Sequence, residues 1–182
     1  MQLCGIDEAG RGPLAGPLYM AGVILTAPLE GLSDSKKLTE KKREALFDTI
    51  RENSLHHIVR FDSLQIDTLG ISGCLAQGLR EIMKALGEAD YLFDGNSTFG
   101  VSGLRTMVKA DESVAEVSAA SILAKVSRDR EMIELGALYP EYGFEGHKGY
   151  GSAAHIEAIQ KHGYSDVHRK SFKLKALQPT LF

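Results

Sequence analysis

The chain has 182 residues, of which 43% are hydrophobic and 25% charged, and this composition suits one globular domain with a proper core. No apolar stretch approaches the roughly 20 residues of a membrane span, and no signal-peptide pattern opens the chain, so we expect a cytoplasmic protein. Cys4 and Cys74 form no C-x-x-C pair, which argues against a zinc knuckle or a disulfide framework.

The net charge of −3 hides an asymmetry along the chain. Residues 147–182 contain six of the 21 basic residues and two of the 24 acidic residues, so this segment carries +4 while residues 1–146 carry −7. An acidic body with a basic end suits a protein that holds cations in one place and phosphate groups in another, although a solvated helix face gives the same bias. We expect residues 1–182 to form a single domain that includes the basic segment.

Hydrophobic patterns predict strands and helices along most of the chain. The predicted strands, each a short apolar run, are residues 2–7, 18–25, 56–61, 91–93 and 106–108. The predicted helices, each with apolar residues at helical spacing, are residues 40–53, 73–86, 113–138 and 152–162. Thr39 is the predicted N-cap of the first helix, and Gly87 ends the second. This order predicts an α/β fold, with a mixed sheet covered by helices.

Acidic residues end or follow three of the predicted strands. Asp7 and Glu8 end the first strand, Asp94 ends the fourth, and Asp111 comes shortly after the fifth. Where neighbouring strands are parallel, such ends lie at one edge of the sheet, where ligands bind. Four carboxylates gathered there repel one another unless divalent cations join them. The pattern predicts a site for Mg²⁺ or Mn²⁺; three unrelated surface turns are the alternative, because Asp is common in turns.

Seven segments, in order along the chain, match one known family. They are GIDEAGRGPLAGP (5–17), DSKKL (34–38), FDG (93–95), KAD (109–111), AASILAKVSRD (119–129), HKGYG (147–151) and HRKSF (168–172). On these segments the chain resembles the type 2 ribonuclease H (ribonuclease HII) of bacteria over nearly its full length. The resemblance implies a ribonuclease H-like fold, with a five-stranded mixed sheet flanked by helices and a short C-terminal helical extension.

The resemblance also implies a metal-dependent endonuclease that cuts on the 5′ side of ribonucleotides, in RNA–DNA hybrids and singly in duplex DNA, leaving 5′-phosphate and 3′-hydroxyl ends. The implied catalytic carboxylates, which would bind two Mg²⁺ or Mn²⁺ ions, are Asp7, Glu8, Asp94 and Asp111. The residues implied to meet the minor groove and the ribose are Gly10, Arg11, Gly12 and Tyr150. The residues implied to meet backbone phosphates are Ser35, Lys36, Lys37, Lys148 and Arg169.

Elementary chemistry is consistent with these roles. Glycines at positions 10 and 12 carry no Cβ, so backbone groups can approach a minor groove that displays the 2′-hydroxyl. Tyr150 lies between two glycines on a predicted open loop, where a packed core tyrosine is the alternative. For any single lysine, a solvated surface position is the alternative to a phosphate contact. The six histidines show no metal-ligand spacing, and we interpret most of them as surface or packing residues.

The last five residues, Gln178 to Phe182, look like the Gln-x-x-Leu-Phe pattern by which many bacterial replication and repair proteins bind the sliding clamp. A frayed tail, or one docked back on the domain, is the alternative. No membrane partner is predicted, and we expect a monomer.

Three other functions are less compatible with the sequence. A dinucleotide-binding loop should open a helix, whereas Pro13 and Pro17 interrupt the glycine-rich segment. A non-catalytic duplex-binding module of the same fold should lack at least one of the acids. The type 3 ribonuclease H usually lacks the arginine between Gly10 and Gly12, and it carries an additional N-terminal domain.

Overall fold

The structure is a computed structural model that describes residues 1–32, 37–174 and 177. The strands of this part of the chain are β1 (Leu3–Ala9), β2 (Leu18–Leu25), β3 (Ser54–Phe61), β4 (Asp90–Asp94) and β5 (Leu104–Met107). Its α-helices are α1 (Glu40–Glu52), α2 (Ser63–Leu86), α3 (Ala115–Leu138), α4 (Phe144–His147) and α5 (Ala153–His162). A short 3₁₀ helix, Ala110–Glu112, connects β5 to α3.

The strands form one mixed sheet in the order β3-β2-β1-β4-β5. β1 pairs antiparallel with β2, and β2 antiparallel with β3. β1 pairs parallel with β4, with Ile6 opposite Phe93, and β4 pairs parallel with β5, with Asp94 opposite Met107. The predicted mixed sheet is therefore confirmed. The three parallel strands end at the same edge, which brings the residues at their carboxyl ends together.

Local capping chemistry explains where the first two helices begin. The Thr39 side chain accepts a hydrogen bond from the N–H of Lys42, which confirms the predicted N-cap of α1. α2 begins at Ser63 rather than at the predicted residue 73, because Asp62 and Gln65 form a capping box. Gly70 breaks the helical conformation with φ 72° and ψ 163°. The turns before Gly70 therefore run in a different direction from the rest of α2, and the apolar residues of the two parts do not follow one helical period in the sequence. Gly87 ends α2 as predicted.

The sheet is covered on both faces. α2 packs against one face, over a core that includes Phe61, Leu75 and Phe93. α1 and α3 cover the other face, with Ala119, Ala120 and other small side chains of α3 buried there. α3 lies very near the sheet at Gly5 of β1, where a Cβ atom would lie 2.2 Å from the backbone nitrogen of Val117. Gly5 thus sets how near α3 lies to the strand that carries the first acids.

Gly5→Ala is therefore expected to destabilise the fold by about 2–3 kcal/mol, because the added methyl group meets helix backbone rather than a movable side chain. Urea denaturation of the two proteins measures this difference. The matched control is Gly146→Ala in α4, where a Cβ would meet nothing within 4 Å. That control should be neutral or stabilising by up to about 1 kcal/mol. Equal stability of the two variants would contradict the close approach of α3.

The C-terminal segment packs onto the loop between β1 and β2. His168 forms an isolated antiparallel bridge with Ala15, and Leu14, Met132 and Phe144 form an apolar cluster beneath it. No helix in the described ranges is both long and apolar enough to cross a membrane. This packing holds α4 and α5 against the loop that follows β1.

Candidate active site

Three aspartates meet at the carboxyl edge of the parallel strands. Asp7 lies in β1, Asp94 ends β4, and Asp111 lies in the 3₁₀ helix after β5. Each side chain places one oxygen so that the three oxygens lie within 4.8 Å of one another. Lys109 turns the chain toward this edge with a left-handed φ of 57°, and the N–H of Asp111 then donates to Asp94 Oδ2 at 3.0 Å. The structure thus brings three of the four predicted carboxylates into one group.

Glu8, the fourth predicted carboxylate, lies outside this group of three and lines the adjacent cleft. Its Oε1 accepts a long hydrogen bond of 3.4 Å from Arg11 Nη1. Its Oε2 is buried and has no hydrogen-bond donor among the residues that the structure describes. Buried carboxylate oxygens are normally satisfied, so this oxygen calls for a cation or a donor from a ligand.

Electrostatics also indicate a cation site. Burial raises the pKa of Asp7 well above its usual range, and the charges of Glu8 and Asp94 raise it further. Burial raises the pKa of Glu8 as well, although the neighbouring Arg11 acts in the opposite direction. A group of buried carboxylates that raises its own proton affinity in this way is stabilised by positive charge.

The donor set fits a hard divalent cation. The gathered ligand atoms of Asp7, Asp94 and Asp111 are all carboxylate oxygens, which Mg²⁺ and Mn²⁺ prefer over the nitrogen and sulfur ligands that favour zinc. The unsatisfied Oε2 of Glu8 lies on the neighbouring residue of β1. The residues present therefore suit the divalent-metal site that the sequence predicted.

A cleft of about 420 Å³ opens beside Glu8. It brings together two segments far apart in the sequence, the glycine–arginine loop and the tyrosine loop. Its lining residues are Glu8, Ala9, Gly10, Arg11, Gly12, Arg43, Ser121, Lys125 and Tyr150. Four of these, Ala9, Arg43, Ser121 and Lys125, were not among the predicted site residues, and the last three have polar or charged side chains. Ser121 and Lys125 lie four residues apart in the matched segment of α3, so helical spacing could have identified them, whereas Arg43 had no such signal.

Arg169 does not lie on the surface, which differs from the predicted phosphate contact. It is fully buried, and its guanidinium donates to the carbonyl oxygens of Gly10 at 2.6 Å, Arg11 at 3.1 Å and Gly16 at 3.0 Å. The glycine-rich loop turns these carbonyls inward, and a planar group with five N–H donors satisfies several at once. Burial, together with the charge of Arg128, lowers the pKa of Arg169 to about 9. In this structure Arg169 holds the glycine-rich loop through these carbonyls.

Arg128 of α3 joins the two loops of the cleft. It donates to the carbonyls of Pro17 at 2.8 Å and Ala15 at 3.0 Å on one side, and to the carbonyl of Lys148 at 2.8 Å on the other. Its guanidinium carbon lies 5.5 Å from the centre of the Tyr150 ring. A Cβ at Gly10 would lie 2.3 Å from Arg128 Nε, so the loop needs glycine at this position to accept the arginine.

The remaining predicted contacts are placed as follows. Tyr150 is 44% exposed and lines the cleft, which rules out the packed core tyrosine. The Lys148 side chain donates to the carbonyl of Glu145, and the residue is half-buried. Lys37 is exposed next to α1. The predictions for Ser35 and Lys36, and for the tail Gln178–Phe182, lie outside the described residues.

A mixed five-stranded sheet with acids gathered at the ends of its central parallel strands, and a basic cleft beside them, defines a ribonuclease H-like nuclease. The family model for Ribonuclease HII matches residues 4–175. The chain belongs to the ribonuclease HII family. It is therefore a hydrolase and an endonuclease of the ribonuclease H type, from a family that depends on divalent metal ions.

Individual relatives agree with this assignment. The chain is 64% identical to a ribonuclease HII from Sulfurovum sp. (strain NBC37-1), over 99% of this chain and 96% of the relative. It is 60% identical to a ribonuclease HII from Aliarcobacter butzleri, over 96% of this chain and 92% of the relative. A chain in the solved PCNA:RNase HII complex from Archaeoglobus fulgidus superimposes with a TM-score of 0.82 and 29% identity, covering 100% of this chain and 98% of that chain.

Proposed function

We propose that this enzyme hydrolyses the phosphodiester on the 5′ side of a ribonucleotide, both in RNA–DNA hybrids and where one ribonucleotide is embedded in duplex DNA. The observation that carries the proposal is that one cleft joins the acid Glu8, the loop Gly10–Gly12 and the exposed ring of Tyr150. A substrate in this cleft would present its backbone to the acids and its sugar edge to the loops. The protein would act in the cytoplasm.

The proposed catalytic residues are the acids Asp7, Glu8, Asp94 and Asp111. Their carboxylates would hold two divalent ions, Mg²⁺ or Mn²⁺, which when bound supply Lewis-acid activation of the attacking water and charge stabilisation at the leaving oxygen. Hydrolysis on this side of the ribonucleotide leaves a 5′-phosphate and a 3′-hydroxyl. Asp94 would also hold Asp111 in place, since it already accepts the Asp111 N–H.

Substrate orientation would come from the cleft walls. A Cβ at Gly12 would meet nothing within 4 Å, so the outer side of the loop is open to a duplex. Tyr150 offers an exposed ring to the ribose, and the 2′-hydroxyl is the chemical difference between the two sugars. Arg11, Arg43 and Lys125 supply positive charge along the cleft for phosphates. Lys37, Lys148, Ser35 and Lys36 remain proposed phosphate contacts farther along the duplex.

Mapping the cut site tests the proposal. A 5′-labelled DNA duplex with one ribonucleotide should give a single labelled product that ends immediately before the ribonucleotide. A DNA polymerase should extend that product without prior phosphatase treatment, because it carries a 3′-hydroxyl. A cut on the 3′ side of the ribonucleotide, or a product blocked by a 3′-phosphate, would contradict it.

We further propose that the tail Gln178–Phe182 binds a sliding clamp. Two observations support this: the Gln-x-x-Leu-Phe pattern of the tail, and the likeness to a chain from a PCNA:RNase HII complex, PCNA being a sliding clamp. A short peptide of this type would seat two apolar side chains in a pocket of the clamp.

Deleting residues 178–182 is expected to remove binding to purified bacterial clamp while leaving cleavage of a short duplex unchanged, because the tail is remote in sequence from the cleft residues. Surface plasmon resonance with immobilised clamp measures the first effect. The double variant Leu181→Ala, Phe182→Ala keeps the chain length and should behave like the deletion. If the intact protein and both variants bind the clamp equally, or if none of them binds it, the tail has no such role.

A further inference from the structure

Three histidines lie together beside the Tyr150 loop, two of them buried and one, His147, half-buried. His147 ends α4, His155 lies in α5 and His168 lies in the C-terminal segment; His155 is 0% exposed and His168 is 1% exposed. The rings of His147 and His155 stack with centroids 4.3 Å apart, and His155 Nε2 lies 2.9 Å from His168 Nε2. Imidazole nitrogens that are buried need hydrogen-bond partners, which apolar packing does not supply.

The hydrogen bonds of His155 and His168 fix which ring nitrogen of each histidine carries the proton. The backbone N–H of Ser165 can only donate, so His168 Nδ1, at 2.9 Å, must accept. The proton of neutral His168 therefore lies on Nε2 and is donated to His155 Nε2. The proton of His155 then lies on Nδ1 and is donated to the carbonyl oxygen of Tyr150 at 2.8 Å. The Ser165 N–H at one end and the Tyr150 carbonyl at the other therefore require the same direction of donation along this series of hydrogen bonds.

His147 holds the same loop from its other side. The N–H of Gly149 donates to His147 Nδ1 at 3.0 Å, so the proton lies on Nε2, which donates to the carbonyl of Tyr142 at 2.6 Å. The N–H of Tyr150 donates to the carbonyl of His147 at 3.1 Å. The backbone on both sides of the exposed Tyr150 ring is thus held by imidazoles, together with backbone bonds from the N–H of Leu14 to the Gly149 carbonyl and from the N–H of Ser152 to the Tyr150 carbonyl, each at 2.8 Å.

We propose that His155 and His168 are positioning residues for recognition of the ribonucleotide: a directed relay from the Ser165 N–H, through both imidazoles, fixes the carbonyl of Tyr150 and thereby the ring that meets the ribose. This inference rests on the proposed function of Tyr150. Neither histidine touches the cleft, so neither is a catalytic residue.

The relay is complete with both rings neutral. A second proton on His155 would lie on Nε2, against the Nε2–H of His168, and would replace a hydrogen bond with two opposed donors. A second proton on His168 would lie on Nδ1, which would lose the bond from the Ser165 N–H and would face the Ser165 hydroxyl at 2.8 Å instead. The surroundings favour neutral rings: burial lowers the pKa of His155, and burial with the neighbouring imidazoles lowers the pKa of His168 from 6.5 to about 4.

The groups that face His155 and His168 determine how the protonation of the two rings changes with pH. They are His147 of α4, Tyr142 before α4, and Tyr164 and Lys170 of the C-terminal segment. Because the pKa of His168 is lower in the folded protein than in the unfolded chain, the folded state loses stability as the pH falls from about 6.5 toward about 4. Above pH 6.5 the neutral relay is retained in full.

Nitrogen NMR of the histidine side chains in the intact protein tests the relay without any substrate. At pH 7.5, two-bond proton–nitrogen spectra should show His155 as the Nδ1–H tautomer and His168 as the Nε2–H tautomer. Free neutral histidine favours Nε2–H, so the His155 pattern is diagnostic. An Nε2–H tautomer at His155, or a doubly protonated ring at either position, would overturn the proposal.

Two substitutions at His155 then test its role in recognition. His155→Asn keeps a donor where Nδ1 lies, whereas His155→Leu has similar bulk and no donor. We expect His155→Leu to lose on the order of 10–100-fold in kcat/KM on a duplex with one ribonucleotide, since a displaced recognition group costs about this much. His155→Asn should recover most of that loss. The control His57→Leu makes the same change at a half-buried histidine of β3, whose ring contacts Glu81 at 3.2 Å and does not line the cleft, and it should match the parent enzyme.

The outcomes separate this inference from the proposed function. If the parent enzyme fails to distinguish ribonucleotide from deoxynucleotide, the proposed function fails whatever the NMR spectra show. If the parent enzyme discriminates but His155→Leu and His155→Asn lose activity equally, the donor to Tyr150 is not what matters and the relay proposal fails. Should His155→Leu not fold, His155→Asn must still keep activity within about threefold of the parent, because it retains the bond to Tyr150.

Discussion

Asp7→Asn is expected to lower metal-dependent cleavage on the order of 10³-fold or more, the equivalent of about 4 kcal/mol in the activation barrier. The reason is that Asp7 shares its site with Asp94 and Asp111, and a neutral amide binds a divalent ion far less well than a carboxylate. The fold should persist, because the Asn oxygen can still accept the Glu8 N–H that Asp7 Oδ1 accepts at 2.8 Å.

The same substitution should raise the melting temperature in metal-free buffer. Burial and the charges of Glu8 and Asp94 hold the pKa of Asp7 well above its usual range, so the ionised carboxylate is unfavourable in the folded state near neutral pH. Loss of activity with a gain in stability distinguishes a metal ligand from a structural residue.

The control Asp90→Asn makes the same chemical change on β4, where Asp90 pairs with Arg105 away from the cleft, and should leave turnover unchanged. Near-normal turnover of Asp7→Asn would contradict the assignment.

Tyr150→Ala is expected to lose on the order of 10–100-fold in kcat/KM on a single embedded ribonucleotide, while the duplex dissociation constant changes far less. The ring is exposed at the cleft, so its removal would take away the proposed contact with the ribose and little core packing. Tyr150→Phe keeps the ring and removes only the hydroxyl, so its activity should lie between those of Tyr150→Ala and the parent. Steady-state cleavage and fluorescence anisotropy give the two quantities. An equal loss of binding and cleavage would indicate a merely structural tyrosine.

Local patterns in the sequence account for most of the fold. The strand periods, the Thr39 cap and the glycine stop at Gly87 are short-range features, and the structure confirms them. The gathering of acids could also be predicted, because parallel neighbours place strand ends at one edge; the structure brings Asp7, Asp94 and Asp111 together there. The predicted start of α2 at residue 73 was wrong, because the polar capping box and the break at Gly70 interrupt the apolar period.

Contacts between side chains and backbone carbonyls could not be predicted in the same way. Arg169 lies in a basic segment, where charge predicts a phosphate contact, yet its partners are carbonyls of a loop about 150 residues earlier in the chain, at 2.6 to 3.1 Å. Carbonyls carry no residue-specific signal, so the sequence does not show which arginine will satisfy them. The same holds for His155, whose partner is the Tyr150 carbonyl. These buried polar residues shape the cleft.

The central claim is that one cleft combines metal-dependent hydrolysis with recognition of a 2′-hydroxyl. Two DNA duplexes that differ only in that hydroxyl, at one position, test this claim most directly. Each duplex is incubated with the enzyme in Mg²⁺ or Mn²⁺, and in a separate reaction with EDTA. We expect cleavage of the ribonucleotide duplex alone, at one bond, and none in EDTA. Equal cleavage of both duplexes, or cleavage that continues in EDTA, would contradict the account.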